Sequence, residues 1–160
     1  TTWTDAGTNT VTATTTSPTK ASGITTDKIY WRRIGKNAEI RVAYAQSNTT
    51  SAAAGTGDYL WAVPTGMTID TTAITAYTTV VGVAANFSPL NCVGGGVGRT
   101  ATTQQFTIYV HVYDASTVRF GYITAGGSAG IISSGANANF TAATYTMMAF
   151  YTVPIVGWNP

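Results

Sequence analysis

Phe106-Thr107-Ile108-Tyr109-Val110-His111-Val112-Tyr113-Asp114-Ala115-Ser116-Thr117-Val118-Arg119-Phe120-Gly121-Tyr122-Ile123 is the stretch that decides the fold. Phe106, Ile108, Val110 and Val112 alternate without a break against Thr107, Tyr109, His111 and Tyr113, which is the two-residue period of a strand with one apolar face. Asp114-Ala115-Ser116 supplies turn residues, and Val118, Phe120 and Tyr122 share a face on the return. The pattern predicts an antiparallel hairpin with one side turned to a core.

The same period recurs on both sides of this hairpin. Upstream, Lys28 to Ile34 sets Ile29 and Trp31 against Tyr30 and Arg32, and Glu39 to Tyr44 sets Ile40, Val42 and Tyr44 against Glu39 and Arg41. Gly35-Lys36-Asn37 joins them as a turn. Asp58 to Pro64 reads as a short aromatic strand stopped by a proline that has no N–H for a ladder, with Thr65-Gly66 turning the chain. Thr79 to Ala85 is a further β-branched run. Downstream, Thr144 to Val153 is apolar on both faces, through Tyr145, Met147, Ala149 and Tyr151 and through Met148 and Phe150, so it is expected to be central and covered on both sides. Two segments rich in Gly, Ser and Ala, Asn91 to Arg99 and Ala125 to Asn139, read as loops.

From Trp3 to Ser22 little hydrophobic period is visible, which reads as an extended arm or an irregular edge rather than a core element, and residues 1–24 are set apart as an extended N-terminal arm. Residues 25–160 are expected as one β-sandwich domain, removable from the arm without unfolding. Seven or eight short strands with no amphipathic helix between them indicate an all-β, antiparallel sandwich, and the length suits a jelly roll.

Composition narrows the function. Only 9 % of the 160 residues are charged, against 44 % hydrophobic, and about one residue in five is Thr. Such a surface is built from hydroxyls, and its aromatic content is enough to form a core. A net charge of +2 gives no field that would attract a phosphate backbone, so nucleic acid is not an expected partner. No run approaches the ~20 apolar residues of a spanning helix, and no signal-peptide layout is present at the start. The expectation is a protein made in a cytoplasm, without membrane insertion.

With one His, one Cys and six carboxylates, the inventory for catalysis is thin, and the spacing assembles no triad, metal set or paired acid. No catalytic residue, metal or cofactor is expected. What stands out is a surplus of aromatic groups: Tyr109, His111 and Tyr113 on one strand face, with Trp61, Tyr77 and Trp158 elsewhere. Either the second sheet of the sandwich covers this face, or Tyr109, His111, Tyr113 and Trp158 are the candidate subunit or partner interface. Trp61 beside Asp58 is a candidate ligand groove, since sugars stack on aromatic rings beside polar groups.

The phrases Tyr30-Trp31-Arg32-Arg33-Ile34-Gly35, Gly57-Asp58-Tyr59-Leu60-Trp61-Ala62-Val63-Pro64-Thr65-Gly66 and Val153-Pro154-Ile155-Val156-Gly157-Trp158, in this order, resemble a domain that recurs in virion proteins of tailed phages. There it forms stand-alone capsid-surface proteins and fibre tips. The resemblance spans nearly the whole chain. It implies a jelly-roll-like sandwich, often trimeric, and carries over no catalytic residue.

Together these readings lead to a homotrimeric decoration or cement protein on the capsid surface. Its arm, with Trp3, Pro18 and Lys20, is expected to contact the major capsid protein or another virion protein. The alternative is a receptor-binding fibre knob or lectin-like trimer that displays the two Gly-rich loops to a host-surface glycan.

Overall fold

A computed structural model describes residues 2–75, 92–100, 104–124, 129–133, 140–142 and 144–159. Along them run β1 (Thr4–Asp5), β2 (Val11–Ala13), β3 (Ile24–Ile34), β4 (Asn37–Gln46), β5 (Tyr59–Ala62), α1 (Thr71–Thr75), β6 (Cys92–Thr100), β7 (Gln104–Val112), β8 (Thr117–Thr124), β9 (Ala129–Ile131) and β10 (Tyr145–Pro154). The strand order is β1-β3-β4-β10-β6-β7-β8-β5-β2, with β9 added on β8, and every pairing is antiparallel. The all-β expectation holds. The ten strands exceed the expected seven or eight because β1, β2 and β9 have only two or three residues each.

Both predicted hairpins form, the first with Asn37 already in the strand rather than in the turn. Gly35-Lys36 is a two-residue turn closing Ile34 onto Asn37, and Gly35 takes φ +58° there, a conformation glycine adopts without steric cost. In the β7–β8 turn the Asp114 carboxylate accepts bonds from Ser116 N at 2.7 Å, Ser116 Oγ at 2.9 Å and Thr117 N at 2.8 Å. Burial alone would raise the Asp114 pKa, but these bonds outweigh it and hold the carboxyl below its usual range.

The sheet curls until its two halves face each other. Tyr44 on β4 lies 6.5 Å from Trp61 on β5, ring centre to ring centre, although β10, β6, β7 and β8 separate those strands in the sheet. Between the halves sits an aromatic core in which Trp61 stacks on Phe120 at 5.0 Å and Tyr59 stacks on Phe140 at 5.2 Å. Each such side chain removed from water contributes roughly 1.5–3 kcal/mol. Gln46, buried among them, donates to Phe140 O and Ala142 O and accepts from Tyr44 Oη, so its polar atoms are satisfied.

Of the two readings of the N-terminal segment, extended arm or irregular edge, the structure shows the edge: it lies on the sheet as two short strands. Residues 4–7 bond to β3, with Ala6 N donating to Ile29 O and Ile29 N to Gly7 O. Residues 10–14 bond to β5, with Ala62 N donating to Thr10 O and Thr14 N to Asp58 O. One segment therefore ties the two edges of the curled sheet together. At the crossing, buried Asn9 donates to Asp27 Oδ1, Lys28 O and Ala43 O, and Lys20 pairs with Asp27. The physical reason is edge satisfaction: both edges carry rows of unpaired N–H and C=O groups, and a Thr-rich strand can cover them.

Two loop readings are also corrected. Asn91 to Arg99 was expected as a loop, yet Cys92–Thr100 is β6, paired on both sides. Its glycines permit close approach: a methyl at Gly94 would meet Phe150 O, one at Gly96 would meet Met148 O, and one at Gly98 would meet the Phe106 ring. Within Ala125 to Asn139, residues 129–131 form β9, and residues 125–128 and 134–139 lie outside the described residues, as do Tyr77 and the run Thr79 to Ala85. A short helix not foreseen, α1, starts where Asp70 Oδ1 accepts from Thr72 N and Ala73 N.

Candidate functional site

β10 is central, paired with β4 on one side and β6 on the other, and among the described residues only one of its faces packs into the core. Tyr145, Met147, Ala149, Tyr151 and Val153 enter the core, while Met148 and Phe150 are 48 % and 39 % exposed. The register sets Met148 beside Val97, itself 65 % exposed, with Ala43 on the other side. One row on, Phe150 has Arg41 and Gly95 as its neighbours, and Gly95 in turn faces Tyr109. The result is an open apolar patch in the middle of the sheet rather than at its rim, bordering a concavity of about 690 Å³. An isolated exposed Leu or Val needs no explanation, whereas contiguous large apolar groups on a central strand mark a contact surface.

Cations border this patch. The Arg41 guanidinium lies over the Trp3 ring at 3.8 Å from its centre and 5.4 Å from that of Phe150, and Arg32 lies 4.8 Å from the Trp3 ring centre. Arg32 also pairs with Glu39 at 2.5 Å. At the opposite end, exposed Arg99 lines the concavity with Gln105 and Thr146.

The residues singled out from sequence scatter around this face. Tyr109 lines the concavity and is half-buried. His111 is only 4 % exposed, opposite Cys92 on β6 and Arg119 on β8, so it offers little to a partner. Tyr113 is exposed beneath Arg119, and Trp158 packs at a tilt against Trp31 and under Arg33, away from this face. The structure thus leaves Tyr109 at the patch and separates it from Trp158.

Trp61 is a core residue, 1 % exposed and stacked on Phe120, so the proposed groove of Asp58 and Trp61 does not exist; Asp58 instead lies 3.7 Å from Arg119. The strand period explains the outcome, because Trp61 alternates with Leu60 and pairs with Val118 on the core face. Of the three arm residues, Trp3 packs against Arg41, Lys20 is tied to Asp27 and the Asn9 carbonyl, and Pro18 is half-buried beside the bridge from Thr19 to Ala53.

Met148 and Phe150 carried a signal in the sequence, a strand apolar on both faces. The same signal fits burial by a second layer, the expectation that their exposure corrects. Val97 carried none, since its neighbours are glycines with no period to count.

Among the described residues no group of three or more His, Cys, Asp and Glu side chains could hold a metal ion, and no helix is long and apolar enough to cross a membrane. No protein-family model, curated protein or solved structure matches the chain.

Proposed function

We propose that the chain is a non-enzymatic structural protein of a virus particle, a homotrimer that binds and stabilises the capsid surface through the outer face of its central strands. The observation that carries this reading is the open apolar patch of Met148, Val97 and Phe150. The virion setting is supported by the three sequence phrases from Tyr30, Gly57 and Val153 that resemble phage surface domains. The mechanism is burial multiplied by valency: three modest footprints on one trimer act at high effective concentration, so sparse charge suffices for firm attachment.

Light scattering of the purified chain followed by co-sedimentation with undecorated shells tests this. A particle of about three times the 16.6 kDa chain mass that sediments with shells supports the reading. A trimer that ignores shells moves it to a receptor-binding knob, and a monomer removes the valency on which both depend. The knob has lost part of its original support, since residues 92–99 belong to a strand and not to a displayed loop.

A further inference from the structure

Every Asp and Glu side chain of the chain is engaged within it. Asp5, Asp27, Glu39 and Asp58 pair with Lys28, Lys20, Arg32 and Arg119. Asp70 caps α1 and Asp114 builds the β7–β8 turn. Arg41 and Arg99, both exposed, have none of these carboxylates within ion-pair distance.

These two cations flank the open apolar row. Arg41 shares a row with Phe150, Arg99 shares one with Thr146, and the row of Ala43, Met148 and Val97 runs between. From strand rise and strand spacing the two Arg Cα positions lie about 16 Å apart, the length of about five extended residues. The Arg41 guanidinium carbon lies 3.8 Å from the Trp3 ring centre and 5.4 Å from that of Phe150. Ring contacts of this kind engage the positive charge, whereas a carboxylate is gripped by the guanidinium N–H donors in two parallel bonds.

We propose that this face binds an extended segment of a partner protein in which apolar side chains are flanked by two carboxylates about five residues apart. The proposal rests on reading the face as partner-binding and names the chemistry of what it binds. A second copy of this chain does not supply that chemistry, because its Asp and Glu side chains are already engaged in ion pairs, the α1 cap and the β7–β8 turn, and face-to-face docking sets guanidinium against guanidinium.

The test uses the full chain and two labelled synthetic peptides, one with Leu and Val between two Asp about five residues apart, the other with Lys replacing both Asp. Fluorescence anisotropy should show the acidic peptide binding about tenfold or more tightly than the basic one. The Arg41→Gln, Arg99→Gln pair should abolish the preference and the Arg41→Glu, Arg99→Glu pair should reverse it, with thermal unfolding confirming that the variants fold. Equal binding of both peptides, or binding of neither, overturns the proposal. So does a wild-type oligomer that Met148→Asp dissociates, since the occupant is then a second copy. Shell sedimentation run in parallel separates the two readings: shell binding with no peptide preference removes only this inference, and a peptide preference without shell binding removes only the capsid assignment.

Discussion

A methyl group added at Gly96 would meet the Met148 carbonyl oxygen and lie 2.7 Å from the Ala149 Cα, both backbone atoms that cannot swing aside. Gly96→Ala is therefore expected to push β6 off β10 and cost about 1–3 kcal/mol, read as a lower urea midpoint. Gly95→Ala should cost less, since its added carbon would lie 3.1 Å from a single atom, Ile108 O. The glycine cluster read as a loop because glycine carries no hydrophobic period; what demands glycine is the neighbouring strand, about fifty residues later in the chain. His111 makes a pH prediction. Burial pushes its imidazole pKa below the ordinary value, and Arg119 on β8 adds to the shift. The unfolded chain then binds more protons than the folded one as pH falls through about 6.5, so stability present above that pH is lost toward the depressed folded pKa. His111→Gln should flatten the fall in melting temperature between about pH 7 and about pH 5.

At the level of elements, β3, β4, β5, β7, β8 and β10 were legible because each is long or aromatic enough to show a period of two. β1, β2 and β9 were not, being two or three residues of Thr, Asp, Val, Ala, Gly and Ile with no period to detect. Their pairing is decided by which sheet edges lie open once the larger strands have folded, a property of the tertiary structure. The consequence for the N-terminal segment is testable. Asn9→Ala removes a buried donor to Asp27, Lys28 O and Ala43 O and should cost about 1–3 kcal/mol in chemical denaturation. Deleting residues before Thr25 should lower the melting temperature sharply and uncover both edges to aggregation, where a dispensable arm would leave unfolding unchanged.

For the molecule as a whole, the sequence was enough to predict an antiparallel sandwich with an aromatic core, because alternation alone assigns Ile40, Tyr44, Ile108 and Phe120 to one side. It was not enough to say which side of β10 would remain open, since a strand with two apolar faces looks the same whether the second cover comes from its own chain or from another. Because Val97 and Met148 are exposed, Val97→Asp with Met148→Asp should change stability by about 0.5 kcal/mol or less per site while removing shell binding, measured by melting and co-sedimentation side by side. The position of β10 also governs how the protein comes into being. Its partners β4 and β6 are made well before residues 145–154, so a chain that pairs its strands as they emerge would hold two half-sheets whose inner edges await a strand not yet made. The final insertion is a long-range event that completes sheet and core together, and it makes the nascent chain, more than the finished one, the form most in need of protection from its neighbours.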